Sequence, residues 1–436
     1  MAMYGGLSAS ALAMLTQSSA FGTISQNITN MNTGGYKSSS TRFETILAST
    51  YDTNSDVGGV RTYRVNNIEQ QGEIISTTNP NDIAINGKGF FVLNTAQDGT
   101  GQSFYSRDGA FALKNEGTGT ITGSFRSDGS IDITDANGAN TVTFNHDNSY
   151  LVDKNENFVQ GWTADESGNI DPTSALTSLR VDRFAFVADA IATTTANLTG
   201  NIPADSDTGG TQVFKANIFD ATGANRSFEL VLTKSAIAQE WTAHFDTSSD
   251  PSLATPSSAT PQTLNFGTSG ELSAGTTIES NLTFTDGTTV DFSLDVSNLT
   301  SIGSTFLYNG FDKNGRAPGD LQSYSFDQDG HINGTFTNGL TRTLYKLPMA
   351  TFANTNALEN RQGNLFSETT ESGEPAMREA NLTGFGTFIP FSHELSNVNL
   401  ANEFNNMILV QQAYNTAASA FKTMDEMTKT AADLKA

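Results

Sequence analysis

Ser396-Asn397-Val398-Asn399-Leu400 opens a stretch that runs to Leu434 without a proline, and the spacing of its apolar residues decides the fold. Leu400, Met407, Tyr414, Phe421 and Thr428 fall seven apart, and so do Glu403, Val410, Ala417, Met424 and Ala431. Eight of these ten are apolar. That is the narrow seam of a coiled coil, not the broad stripe of a globular helix. Ser396 or Asn399 can cap the start, although Asn402 stands where Glu or Gln would complete a capping box. From Asn399 to Leu434 such a helix is about 54 Å long.

A seam needs a partner, and the other end of the chain repeats the period. Leu7, Met14, Phe21 and Ile28 are seven apart, with small Ala11, Ser18 and Ser25 between them. Asn30-Met31-Asn32-Thr33-Gly34-Gly35 supplies the stop, with glycine available for a left-handed cap. The spacing predicts two terminal helices that pair with each other or with copies of themselves. The expected contact residues are Leu7, Met14, Phe21 and Ile28 at one end. At the other they are Leu400, Met407, Val410, Tyr414, Ala417, Phe421 and Met424.

The 436 residues predict two or three domains. Forty-six acidic side chains against 23 basic give a net charge of −23, which argues against nucleic acid or an anionic membrane as partner. With no cysteine there is no disulfide, thiolate metal site or cysteine nucleophile. The first 36 residues carry no charged side chain, so the basic start of a secretory signal peptide is missing. Ser, Thr, Gln and Asn interrupt their apolar positions, so membrane insertion is not expected.

Between the helical ends the pattern is β. Residues 37–71 are polar and mixed, and predict an irregular connector with a little strand. From Gly72 strands begin: Asp82-Ile83-Ala84-Ile85 alternates, and Phe90-Phe91-Val92-Leu93 is a buried run. Phe104 to Leu113 predicts a strand pair around Asp108-Gly109. Ile121 to Phe144 predicts one or two extra hairpins with turns at Asp128-Gly129 and Asn137-Gly138. Residues 188–301 are a separate block rich in Thr, Ser and Gly, with strand runs at Val213–Phe219, Ser227–Thr233, Trp241–Phe245 and Phe292–Val296. The expected architecture is mainly β with terminal α-helices, in which nested β-domains sit on a coiled-coil-like stem. Residues 1–36 and 396–436 form the stem and 37–71 the connector. Residues 72–187 and 302–395 form a first β-domain, and 188–301 an outer one inserted into it.

Asn27-Ile28-Thr29-Asn30-Met31-Asn32-Thr33-Gly34-Gly35-Tyr36-Lys37 resembles the N-terminal signature of bacterial flagellar rod and hook proteins. Ser396-Asn397-Val398-Asn399-Leu400, followed by Met407-Ile408 and Gln411-Gln412-Ala413-Tyr414, resembles their C-terminal signature. The family usually has Ala at Gln26 and Thr29, and Arg-Asn at Gln412-Ala413. A third match covers the start of the β region from Gly72, resuming at Tyr150-Leu151-Val152 and ending at Val159-Gln160-Gly161-Trp162. The resemblance implies a structural, self-assembling subunit of the flagellum, located outside the cell. It further implies passage through the flagellar type III export apparatus without cleavage. The implied partners are copies of itself, the distal rod protein, the hook cap and the hook–filament junction proteins. Distal rod proteins generally lack an insertion like 188–301, so that block favours the hook branch, with the rod branch as the alternative.

No enzymatic constellation is singled out. His146, His244, His331 and His393 have no paired spacing. Asp153, Asn155 and Asn157 mimic half a calcium loop, but Phe158 replaces the required Gly and no Glu closes it. Asp327-Gln328-Asp329-Gly330 predicts a hairpin turn. Gly117-Thr118-Gly119 lacks the third glycine of a dinucleotide loop, and there is no G-x-S-x-G elbow. No cofactor, metal or catalytic residue is expected. A secreted β-rich glycosidase or adhesin is the rival from another class, and neither needs helical seams at both termini.

Overall fold

A computed structural model describes residues 2–47, 57–125, 131–132, 141–165, 167–246, 253–254, 261–274, 277–284, 288–381 and 385–433. Helix α1 (Ala2–Thr29) and helix α2 (Leu400–Asp433) pack antiparallel. At one end Asn27 reaches Glu403. At the other, Gly6 lies so close to Met424 that an added Cβ would stand 2.6 Å from its sulfur. Asn399 is the cap of α2, its side-chain oxygen accepting from the Asn402 N–H at 3.1 Å. After α1 the chain turns through Gly35, whose φ of +66° is the left-handed conformation the glycine pair made available.

The heptad register of α2 is the side on which the helix is shielded. Leu400, Glu403, Met407, Val410, Ala417, Phe421, Met424 and Thr428 are half-buried. Asn402, Asn405, Asn406, Gln411, Gln412, Lys422 and Thr423 are exposed. Tyr414 departs from the set and is exposed. In α1 the most buried residues are Ser10, Thr16, Ala20, Thr23, Ile24 and Asn27, about one residue round from the Leu7–Met14–Phe21–Ile28 line. Phe21 on that line is exposed. The buried hydroxyls of Ser10, Thr16 and Thr23 are satisfied within the helix, donating to the carbonyls of Leu7, Ala13 and Ser19.

The shift has a cause. The segment expected as an irregular connector is a long antiparallel hairpin, β1 (Ser39–Leu47) and β2 (Val57–Asn66), lying along a second side of α1. The Thr41 hydroxyl donates to the Thr23 hydroxyl at 2.9 Å, and Gly59, at φ +134°, leaves room for Leu12. Contacts made by threonine and glycine leave no apolar alternation to read.

The first β unit is organised on one large sheet. Its main path runs 187–188, 319–326, 331–336, 341–346, 158–163, 91–94, 103–106, 365–367 and 359–361. Ile83, Phe91, Leu93, Leu151, Val159, Leu344 and Phe388 are among its core residues. Ser103–Ser106 pairs with Phe91–Asn94 and Leu365–Ser367, while Ala112–Phe125 pairs with Thr141–Val152. The two strands expected to pair around Asp108-Gly109 therefore do not pair with each other. Gly109 passes so near the Ile83 carbonyl that a Cβ would be 1.8 Å from its oxygen. The segment expected as extra hairpins continues the Ala112–Phe125/Thr141–Val152 arm, with Ile121 opposite Phe144. The turns expected at Asp128-Gly129 and Asn137-Gly138 lie outside the described residues.

Thr195 to Lys313 build two further sheets over one core that includes Phe214, Phe228, Leu230, Trp241, Leu264, Phe292 and Leu294. Thr195–Ile202 shows the period of two, alternating between buried and half- or fully exposed along its length. The four strand runs read from sequence fall on strands Thr211–Phe219, Asn225–Lys234, Glu240–Asp246 and Thr289–Asp295. The unit runs past the expected limit at 301, because Leu307–Lys313 pairs antiparallel with Thr195–Ile202. The chain enters and leaves side by side: Ile191 and Arg316 exchange backbone hydrogen bonds of 3.0 and 2.9 Å. No helix among the described residues is long and apolar enough to cross a membrane.

Candidate assembly stem and its polar anchor

Where the stem meets the first β unit, the two ends of the chain are tied by buried polar groups. Glu394 is fully buried between two cations. Its carboxylate accepts from Lys37 Nζ at 2.6 Å, Arg107 Nε at 3.0 Å and the Gly72 N–H at 2.8 Å. Arg107 also donates to the carbonyls of Gly87 and Gly89 at 2.8 and 2.7 Å, and Lys37 to that of Gln70 at 2.8 Å. Two buried cations thus share one carboxylate, with carbonyl dipoles supplying the remaining acceptors. Burial pulls the Lys37 ammonium down to about 8, with Arg107 adding to the effect and Glu394 opposing it. Burial likewise lowers Arg107, again against Glu394.

Two asparagines complete the anchor. Asn27, on the last turn of α1, donates to the Ser39 carbonyl at 2.8 Å and to Glu403 at 3.1 Å. It accepts from the Ser39 N–H at 3.0 Å and the Tyr36 hydroxyl at 3.2 Å. All its polar atoms are used, joining α1, β1 and α2. Burial raises the Glu403 carboxyl above its ordinary value, with the Asn27 bond opposing. Asn397 accepts from the Ser38 N–H at 2.7 Å and donates to the carbonyls of Asn67 and Gln70 at 3.0 and 2.9 Å. The Gly35 N–H donates to the Glu394 carbonyl at 2.7 Å, and a Cβ at Gly35 would strike the Asp108 backbone at 2.6 Å.

Beyond the anchor, the stem exposes large apolar side chains among polar ones. Phe404 and Ile408 of α2 are exposed, and a separate groove of about 440 Å³ is lined by Phe21, Val410 and Tyr414 together with polar Gln17, Ser18, Gln411 and Asn415. On the flank of α2 away from Phe404 and Ile408, exposed Leu409 borders a groove of about 380 Å³ walled by Ala20, Ile24, Ala413 and Phe43 of β1. Leu15 and Met427 are exposed as well. Among the residues expected at the contact, Met407, Val410, Ala417, Phe421 and Met424 lie on the shielded side of α2, as does Leu400. Leu7, Met14 and Ile28 are half-buried, and Phe21 and Tyr414 open to the groove.

Two family models match segments of the chain. The family model described as "Flagellar basal body rod FlgEFG protein C-terminal" matches residues 392–434, which hold Glu394, Asn397 and α2. That described as "Flagellar basal body protein FlaE D2 domain" matches residues 186–316, ending at the Ile191–Arg316 neck. The flagellar hook protein of Rhizobium meliloti is 27% identical over 100% of both chains. The chain is similar to flagellar hook proteins along its whole length. The hook protein of Salmonella typhimurium is 29% identical over 94% of this chain and 95% of that one. A crystal structure of a Helicobacter pylori flagellar hook protein aligns at a TM-score of 0.40 and 13% identity, covering 72% of this chain and 98% of that one.

Sequence reading found the flagellar hook and rod signature without its work. Asn27, Lys37 and Asn397 lie within the quoted terminal motifs and Arg107 within the β stretch matched from Gly72, whereas Glu394 lies in none of them. A lone glutamate and arginine 287 residues apart carry no local signal. The half-calcium loop resolves into a turn in which the Asp153 carboxylate accepts the backbone N–H groups of Asn155 and Asn157. Asp327 closes the Asp327–Gly330 turn in the same way, accepting from Asp329 and His331. Among the described residues no three His, Asp or Glu side chains are grouped to hold a metal.

Proposed function

We infer that this chain is a structural subunit of the flagellar hook, which polymerises with copies of itself through the α1–α2 stem. The observation that carries this is the exposure of large apolar side chains on both flanks of α2, in a helix already paired on its shielded side with α1. A helix with one partner needs one apolar stripe, and further stripes imply further neighbours. In the tube the paired stems form an inner wall that carries torque from rod to filament. The β units form outer layers, the first comprising 72–187 and 302–395 apart from the strand at 307–313, and the second that strand with the inserted block. Many modest polar contacts between such layers exchange as the tube bends. The subunit works mechanically, not as an enzyme. Its neighbours at the ends of the tube are the distal rod, hook-cap and hook–filament junction proteins. It reaches the outside through the flagellar type III export apparatus without a cleaved signal.

Electron microscopy of the purified chain in high salt, which screens its negative charge, tests this reading. Curved tubes are expected. Dispersed particles under every salt and concentration tried would refute it.

A further inference from the structure

The last strands of the first β unit pair with its first ones. Thr387–Pro390 runs antiparallel to Ile83–Asn86, with Phe388 opposite Ile85. Ser392–Glu394 runs antiparallel to Ile74–Ser76. Phe388 is fully buried, stacks on Phe91 at 5.8 Å, and lies so near Gly330 that a Cβ there would stand 2.6 Å from its ring. Backbone bonds extend the seam, from the Thr77 N–H to the Phe391 carbonyl at 2.7 Å and from the Leu395 N–H to that of Glu73 at 2.8 Å. Between the two strands Phe391 turns at φ +54°, a left-handed conformation that is costly for a bulky residue and is held by the pairing on either side.

The strand partners of this segment lie at the other end of the chain. Gly72, whose N–H Glu394 accepts, is 322 residues away, and Lys37 is 357. Other strands of the unit have nearer partners: 91–94 pairs with 103–106, 112–125 with 141–152, and 319–346 is a meander. The outer unit closes its core within 195–313. A longer loop costs more entropy to close, and that cost precedes the contacts that offset it. The anchor adds a second reason. Lys37 and Arg107 are buried against Glu394, and neither has another ion pair among the described residues. Until Glu394 arrives, burying either one leaves an unpaired cation. The Gly87 and Gly89 carbonyls that also hold Arg107 stay open with it.

We propose that residues 387–394 are a closing strap, the last part of the first β unit to dock, and that its docking brings the two stem helices together. Helix α2 begins at Leu400, just beyond the strap, and Asn397 ties the link to Ser38, Asn67 and Gln70. A chain delivered from its N-terminus folds its outer unit first and keeps its first β unit open until its final residues are free. The strap is a property of the single chain and does not rest on the assembly reading.

Pulse-labelling hydrogen exchange on the refolding full-length chain, read by mass spectrometry, tests this. Prolyl isomerase is present throughout, so that isomerisation at Pro390 does not set the clock. Peptides from 211–246 should gain protection first and those from 319–346 next. Peptides 74–86 and 387–394 should follow last, at one common rate, with α2 no sooner. Glu394→Gln should leave the early phases unchanged. In the native protein it should speed exchange of 74–86 and 387–394 by the same factor, about a hundredfold or more. Phe388→Leu keeps every charge and should act on both segments by a smaller common factor, which decides the matter if the first variant does not fold. Protection of 74–86 before or together with 319–346 overturns the proposal. So does a variant that speeds exchange in one of the two segments alone, since an opening strap exposes both.

Discussion

Replacing Glu394 by Gln removes one negative charge from a site that holds two buried positive ones. The volume barely changes, and the amide oxygen can still accept one bond, so the loss is mainly electrostatic. Lys37 keeps the Gln70 carbonyl, and Arg107 keeps those of Gly87 and Gly89. What disappears is the counter-charge at 2.6 and 3.0 Å. Removing one partner of a buried ion pair costs about 3–5 kcal/mol. For a β unit of this size that lowers the melting temperature by about 6–20 °C. Scanning calorimetry is the assay, because the unit with its own core at 195–313 should melt independently and serve as internal reference. A shift in that reference alone, or none in either transition, would refute the assignment of Glu394 as the electrostatic centre of the anchor.

The pH dependence sharpens the test. Lys37 is held at about 8 in the folded protein against 10.5 in the unfolded chain. Between those values the unfolded chain binds a proton the folded one has released. Wild-type stability therefore rises with pH through that window and gains nothing from this group below it. Glu394→Gln pushes the lysine lower still. Between the lowered value and about 8, the variant gains stability with pH while the wild type does not. The penalty should accordingly shrink on going from about pH 6 to pH 8, by about 1.4 kcal/mol for each unit the lysine has fallen. A penalty that grows over this range has the wrong sign. Adding Lys37→Met to Glu394→Gln should recover part of the loss, because one of the two buried cations that Glu394 balanced is then gone while Arg107 remains.

Four further outcomes are expected. Phe421→Asp puts an unpaired carboxylate in the helix seam and should abolish tubes while leaving the melting of the β units unchanged, read by electron microscopy and calorimetry. Normal tubes would mean the heptad register is wrong for the polymer. Excising residues 192–315 and rejoining the chain at the Ile191–Arg316 neck should leave a folded, polymerising protein, because the ends are already hydrogen-bonded neighbours. An aggregated product lacking a β circular-dichroism signal would show the cut is misplaced. Gly72→Ala places a methyl 2.0 Å from the Leu395 carbonyl oxygen and should cost about 2–4 kcal/mol in denaturant titration. A neutral effect would show the strand crossing is looser than described. Raising salt from about 0.05 to about 0.5 M should promote assembly by screening −23 per copy, and tubes that dissolve at the higher salt would contradict the charge argument.

What could be read in the sequence follows from how each part is built. α2 was legible because its seam is apolar and its partner helix is long, so burial imposes a period that survives without structure. The outer unit was legible strand by strand for the same reason, with Phe214, Phe228, Trp241 and Phe292 facing one core. The hairpin Ser39–Asn66 was not, because it meets α1 through Thr41 and Gly59 instead of an apolar face. The strand Leu307–Lys313 was missed because Leu307 and Tyr308 are exposed and leave no inward alternation. The register of α1 slipped by about one residue because a helix packed on two sides hides its small residues, and serine or threonine can sit there once their hydroxyls bond within the helix.

The anchor and the stem divide the work by chemistry. A junction that must hold its angle is best made of directional bonds satisfied within one subunit. Asn27, Asn397 and Glu394 each join segments from different parts of the chain, and a small rotation of the stem would break several charge-assisted bonds together. A surface that must find a neighbour needs area without charge, and little net loss if it slides. The apolar flanks of α2 provide that, since dispersion and burial depend weakly on exact register. The anchor is thus complete in the single subunit, while on the proposed assembly the stem gains its further partners only from other copies. Weakening the anchor should therefore lower monomer stability before it alters assembly, and changing the flanks should alter assembly while leaving monomer stability alone.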